Sequence, residues 1–428
     1  MNIEILLDAL IEHEETSRKT LNLVPSENAA TRFSRIPLLL DLYNRYFFHA
    51  AKDHKRWSFR GVQDIHWIET DVVIPLLRDF TNAEYISVRP VSGMGGMLLA
   101  LLALGGGVQS HVLTVSPEQG GHYATRNLAM SIGLNPVYLA GEDEYSLDLN
   151  KVEHQLKQMD VKLVYVDQSN GLFPFDIRRL VQAVKRISPT TLIHVDISHW
   201  LGLVFGGEVE NPLDAGADSF GGSTHKTFPG PQKAIFCTRN NMLAMKAKFA
   251  QHYSISSHHF GSVVSLAIAL LEFKTSGQEY SKRTVENARA LARYLDAYRY
   301  DVKGSQRGFT AGHQIWMSTH NRGIDSYEAS ERLYHSGIRV NAFDEMPGSK
   351  QSMLRIGVNE VTRIGATQDH MEELARLMNA AILQSVPMQK LRAEVELFRN
   401  SLKDDYGFGN MERPERDKFE KLIALIGL

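Results

Sequence analysis

Lys226 stands in the run Gly221-Gly222-Ser223-Thr224-His225-Lys226-Thr227-Phe228-Pro229-Gly230-Pro231, where small and hydroxyl residues precede the amine and a Pro-Gly-Pro turn follows it. Upstream, His194-Val195-Asp196-Ile197-Ser198-His199 sets a carboxylate at the end of an apolar run. A lysine amine can hold an aldehyde cofactor as a Schiff base. An acid can pair with that cofactor's pyridinium nitrogen. Together the two stretches point to pyridoxal phosphate chemistry. Each has a plainer reading when taken alone: Lys226 as a solvated surface charge, and Asp196 as the N-cap of a helix.

These residues need elements to position them. Short strands are expected at 85–89, 112–115, 137–140, 163–167, 192–196, 219–220 and 234–238, with helices such as 94–104 and 177–187 between them. Strands alternating with helices imply an α/β fold whose mostly parallel seven-stranded sheet is covered by helices. Ligands of such sheets bind at the carboxyl ends of the strands. Asp167 and Asp196 each close a strand there. Residues 2–20 and 33–48 read as helical, and beyond about 265 helices dominate. His313–Ser318 and Met353–Ile356 are the strands of a smaller α+β C-terminal region. The reading divides the chain into an N-terminal helical arm (1–60), a large cofactor-binding domain (61–275) and a small C-terminal domain (276–428).

Composition narrows the classes. At 428 residues the chain is long enough for more than one core, and a net charge of −2 gives no electrostatic reason to expect nucleic acid or an anionic membrane. The single cysteine, Cys237, lies in an apolar strand and allows no intramolecular disulfide. The start of the chain does not read as a signal peptide, and no apolar run nears the roughly 20 residues of a membrane span. A cytoplasmic enzyme with no metal is the resulting expectation. The glycines after Ser92 lack the full spacing of a dinucleotide loop.

Several further segments fall in one order: Leu23-Val24-Pro25-Ser26-Glu27-Asn28, Asn44-Arg45-Tyr46, Ser92-Gly93, Gly120-Gly121-His122, the Asp196 and Lys226 stretches, and Leu354-Arg355-Ile356-Gly357-Val358. On these the chain resembles the serine hydroxymethyltransferases, pyridoxal phosphate enzymes of the aspartate-aminotransferase fold, fold type I. The resemblance implies that Lys226 carries the cofactor, that Asp196 holds its ring nitrogen protonated, and that His122 stacks on the ring. It assigns Ser92 and Gly93 to the phosphate turn, and Ser169, His199 and His225 to further cofactor contacts. Ser256 and Ser257 fall near a segment that binds phosphate from the partner subunit. Arg355 and Ser26 match contacts to the substrate's α-carboxylate, and Tyr46 matches a tyrosine reaching across a homodimer interface.

The departures cluster on the substrate side. After Asn-Arg-Tyr the family continues Ala-Glu-Gly, whereas this chain reads Phe47-Phe48-His49, so phenylalanine takes the place of the acid/base glutamate. The family's Arg-Tyr-Tyr-Gly-Gly becomes Arg56-Trp57-Ser58-Phe59-Arg60-Gly61. His49 is titratable near neutrality and adjacent to the lost acid. The expectation is a folate-independent amino-acid enzyme that makes or breaks a bond at Cα. Aldolase or transaldolase chemistry on glycine or a β-hydroxy amino acid is its first form. Hydroxymethyltransferase activity with a diverged folate site, decarboxylation, racemisation and a silent binding protein stay open as alternatives.

Overall fold

The structure is a computed structural model that describes residues 2–47, 54–408 and 413–427. Phe48 and His49, the residues that replace the family's acid, lie outside the described residues. The chain forms two compact units: Met1–Asn28 with Lys282–Asp405, and Ala29–Ser281 with Tyr406–Leu428.

The larger unit is built on seven strands: β1 (Tyr85–Ser87), β2 (His111–Thr114), β3 (Asn135–Tyr138), β4 (Val161–Asp167), β5 (Leu192–Asp196), β6 (Ser219–Ser223) and β7 (Ala234–Thr238). They pair in the order β1-β7-β6-β5-β4-β2-β3. Only β7 runs antiparallel to its neighbours. Almost every residue of β4 is buried and all of β7 is, as in strands covered on both faces. Helix Gly93–Leu104 packs beneath the sheet through Leu99, Ala100 and Leu101, which share a core with Leu163, Tyr165 and Phe236. Helix Ile177–Ile187 starts where Asp176 accepts the Arg179 N–H at 2.9 Å, and buries Leu180, Ala183 and Val184. Cys237 is fully buried in β7, and burial pushes its thiol pKa up, so it is an inert core residue.

The smaller unit holds a four-stranded antiparallel sheet, Asp301–Val302, Gln314–Ser318, Met353–Gly357 and Asn341–Phe343 in spatial order. Helices Ser326–His335, Met371–Leu383 and Met388–Ser401 share its core, which includes Leu21 and Leu23 from the start of the chain.

Three regions differ from the sequence reading. The stretch 33–48 is not one helix: Arg32–Arg35 is a single helical turn, followed by 3₁₀ segments Ile36–Leu39 and Asp41–Asn44. Pro37 supplies no N–H to continue a helix, and Leu40 is extended at ψ 162°. The third strand begins at Asn135, two residues before the expected start, with Pro136 inside it. Helix Phe260–Ala297 is, by length and composition, apolar enough to cross a membrane, which the reading of apolar runs does not anticipate. Its most apolar window is 72% buried within the protein, the signature of a core helix.

Candidate active site

The parallel strands end together, and their last side chains meet in a cavity of about 250 Å³. Asp167 ends β4 and Asp196 ends β5, and the register of these strands sets the two residues side by side. Tyr165, fully buried, donates its hydroxyl to Asp196 Oδ2 at 3.0 Å. The other oxygen of Asp196 accepts the Ser198 N–H at 2.9 Å. Asp196 thus closes a turn while also lining the cavity; it does not cap the helix that follows, Leu201–Phe205, whose N-cap is Trp200.

Lys226 lies on the loop between β6 and β7. Thr224 donates to the Pro231 carbonyl at 2.6 Å, and the Gly230 N–H returns to the Thr224 carbonyl at 2.9 Å, so the loop closes around the lysine. Thr227 accepts the Gly202 N–H at 3.0 Å, and Tyr280 donates to the Thr227 carbonyl at 2.8 Å. A methyl group on Gly202 would stand 2.4 Å from that carbonyl oxygen, so only glycine permits this approach. The lysine is partly buried and faces the same cavity as Asp196, which argues against a solvated surface charge.

Opposite lies the start of helix Gly93–Leu104. Its cap, Ser92, accepts the Gly95 N–H at 3.1 Å, and the first-turn N–H groups favour an anion. A methyl on Gly93 would come within 3.3 Å of the Ser223 side chain, and one on Gly222 within 2.9 Å of the Ser198 nitrogen. The backbone is therefore drawn tight around the cavity. Ser223 Oγ and His225 Nδ1 are buried with no hydrogen-bond partner among the described residues, and both residues line the cavity. Burial, then the neighbouring Lys226 charge, pushes the His225 pKa down to about 4, so its ring is neutral at physiological pH.

His122, Ser169 and His199 complete the predicted set in the cavity wall. His122 Nδ1 accepts the Ala124 N–H at 3.2 Å, which leaves the proton of a neutral ring on Nε2. Sequence reasoning missed Ser198, Ser223, Gln168 and any role for Asp167. Ser198 Oγ accepts the Ser223 N–H at 2.9 Å, tying the turn after β5 to the end of β6. Gln168 pins the next loop, donating to the Phe173 carbonyl at 3.1 Å and accepting the Phe175 N–H at 3.0 Å. The signal available for all four was their position, at or just past a strand's carboxyl end.

Other predicted residues stand elsewhere. Tyr46 is 41% exposed and stacks on Phe59 with centroids 5.3 Å apart. Ser256 and Ser257 lie between helices Asn241–Ser254 and Phe260–Ala297, and neither lines the cavity. Ser26 and Arg355 belong to the smaller unit, where the Gly357 N–H bonds the Leu23 carbonyl at 2.7 Å and so aligns their two segments. Arg355 is 5% exposed, donates to Asn341 Oδ1 at 2.9 Å and lies over the Phe343 ring at 4.8 Å. Burial pulls its pKa down to about 10, so it keeps its charge.

Pyridoxal phosphate suits this donor set. An amine is available for its aldehyde and a carboxylate for its ring nitrogen. Unsatisfied hydroxyl and imidazole groups beside a helix start are available for its phosphate. Fold and cavity together define a pyridoxal phosphate enzyme of fold type I. The comparisons with known proteins agree. The family model for serine hydroxymethyltransferase matches residues 3–378. An L-threonine:uridine-5'-aldehyde transaldolase from Streptomyces sp. is 41% identical over 372 residues, covering 87% of each chain. A serine hydroxymethyltransferase from Methanopyrus kandleri is 31% identical over 418 residues, covering 96% of each. The crystal structure of an L-threonine transaldolase from Pseudomonas fluorescens superimposes with a TM-score of 0.86 at 22% identity, covering 98% of this chain and 97% of that one. The chain belongs to the serine hydroxymethyltransferase family, and pyridoxal phosphate is its cofactor.

Proposed function

We propose that the protein is a folate-independent transaldolase that cleaves the Cα–Cβ bond of a β-hydroxy amino acid of the L-threonine type and joins Cα to a second aldehyde. The observation that carries this reading is the gradient of similarity. Three L-threonine:uridine-5'-aldehyde transaldolases match at 38–41% identity, whereas a fluorothreonine transaldolase and four hydroxymethyltransferases match at 29–31%. Phe48 at the glutamate position points the same way, since a phenylalanine cannot transfer a proton. The names of those relatives make a nucleoside 5'-aldehyde the first acceptor to try.

The atoms balance without a redox partner. The donor's β-hydroxyl loses its proton as Cα–Cβ breaks and an aldehyde leaves. The electron pair left at Cα attacks the incoming carbonyl carbon, and the new alkoxide takes up a proton. The bound cofactor supplies the electron sink that holds the pair at Cα meanwhile. The chain's part is to bind and orient. Lys226 holds the cofactor's aldehyde carbon, and Asp196 keeps a proton on the ring nitrogen. Ser92, Ser223 and the helix start hold the phosphate, and Arg355 grips the substrate carboxylate as a planar fork. His122, with its Nε2–H, His199 and Ser169 flank the cofactor.

A homodimer with shared active sites belongs to the same proposal. The N-terminal helix Ile3–Lys19 has no buried residue in the single chain, and Ile3, Leu6, Leu10 and Ile11 are exposed. Such a face calls for cover, and sedimentation as a monomer with cofactor bound would remove this part. The activity is tested with L-threonine plus an aldehyde acceptor, following acetaldehyde release and the new β-hydroxy amino acid. Acceptor-dependent product without tetrahydrofolate is expected. Glycine formed from serine only when tetrahydrofolate is present, with no aldehyde exchange, would replace the proposal with hydroxymethyl transfer.

A further inference from the structure

The proposed chemistry uses one strand-end carboxylate, but the cavity holds two. Asp167 is 3% exposed, lines the cavity and is paired in register with Asp196 on the next strand. Its Oδ2 accepts a short hydrogen bond from the Thr125 hydroxyl, and the backbone N–H groups of His122 and of Asp167 itself also favour its charged form, but Oδ1 is buried with no hydrogen bond of good geometry among the described residues. A structural carboxylate at this depth would be expected to have both oxygens satisfied. A second carboxylate in the cavity wall, side by side with Asp196, is the arrangement of a group with work to do there.

We propose that Asp167 and Asp196 act as a carboxyl pair, with Asp167 a positioning residue that sets the charge presented to the cofactor's ring nitrogen and makes cofactor electronics depend on pH. This rests on the reading that the cofactor's nitrogen meets Asp196. Two adjacent carboxyls in a dry pocket do not both ionise easily. Burial pushes the Asp167 pKa up to about 8, opposed by the Thr125 hydroxyl, helped by the Asp196 charge and opposed further by the His122 and Asp167 backbone N–H groups. Asp167 is therefore protonated at neutral pH and gains its charge as pH rises through that region. A cationic ring nitrogen draws the transition lower. The titratable neighbours are Tyr165 on its own strand, Asp196 and His194 on β5, and His122, His199, His225 and Lys226 around the cavity. His194, whose pKa burial lowers to about 4, and His225 stay neutral across this range. With the second charge in place the ring nitrogen holds its proton more tightly, and the cofactor withdraws electrons more strongly.

The test is a pH titration of the visible absorption band and of cofactor affinity in wild-type, Asp167→Asn and Thr125→Val holoenzymes, with kcat/KM followed in parallel. Asp167→Asn keeps an acceptor for Thr125 but fixes the pair at one charge. It should bind cofactor within about threefold of wild type at pH 6.5. It should also lose one inflection between pH 6 and 9 while keeping that of the Lys226-bound cofactor. Thr125→Val removes a donor to the charged form and should move the same inflection up by about one pH unit; it carries the test if the asparagine variant does not fold. Titrations that superimpose on wild type in both variants, with Lys226 still loaded, overturn the proposal and leave the cofactor site standing. Loss of cofactor at every pH in Asp167→Asn overturns it as well, by making Asp167 part of the framework. A wild-type Lys226 that takes up no cofactor sinks the reading beneath it.

Discussion

Lys226→Ala is expected to remove the visible absorbance of lysine-bound pyridoxal phosphate and to lower turnover on the order of 10³-fold or more, the result of deleting the residue proposed to anchor the chemistry. The loop that carries Lys226 is held by Thr224, Thr227, Gly230 and Tyr280 through bonds that do not involve the lysine side chain. The variant should therefore fold, and its melting temperature should stay within a few degrees of the cofactor-free wild type. Absorbance titration with added cofactor, borohydride reduction followed by peptide mapping, and a melting curve together separate loss of chemistry from loss of structure. Borohydride labelling on a different lysine, or activity within tenfold of wild type, would remove the cofactor assignment from Lys226. Lys233 is the control. It is fully buried, donates to the His258 carbonyl at 2.6 Å and does not line the cavity, so it should remain unlabelled.

Lys226 and Asp196 were legible because each follows an apolar strand pattern, and a parallel sheet gathers strand ends into one place. The same logic puts Asp167 at the site, but a second carboxylate has no role until its unsatisfied oxygen and its register with Asp196 are seen. Ser198 and Ser223 were illegible for another reason. Their bond joins the ends of two strands that are adjacent only in space, and hydroxyl residues near glycine read as ordinary loop. The failure at 33–48 is local: its apolar residues recur at helical spacing, yet Pro37 and an extended Leu40 divide the segment into short turns. The C-terminal segment carried no functional motif. Residues 384–428 form helix Met388–Ser401, which belongs to the smaller unit, and helix Arg413–Ile426, whose Phe419 packs edge-on against Phe33 at 4.8 Å within the larger unit. A contact across so many residues leaves no trace in local pattern.

Asp196→Asn is expected to fold and to lose about 10²–10³-fold in kcat/KM, the scale of deleting one partner of a buried, hydrogen-bonded charge pair. The asparagine Oδ1 can still accept the Ser198 N–H while its Nδ2–H donates to the Tyr165 hydroxyl oxygen, so the turn and the fully buried tyrosine each keep a partner. What disappears is the negative charge proposed to keep a proton on the cofactor's ring nitrogen. A neutral ring is a poor sink for electrons released at Cα, so the loss should fall on kcat more than on KM, because the carboxylate contact proposed for Arg355 is untouched. Asp196→Ala should behave worse, adding the cost of a buried tyrosine hydroxyl without an acceptor, about 1–3 kcal/mol of stability. Comparing the two separates charge from structure. Equal stability but unequal activity relative to wild type in the asparagine variant assigns Asp196 to cofactor electronics. An asparagine variant as active as wild type would return Asp196 to its other observed part, the turn that begins with the Ser198 N–H.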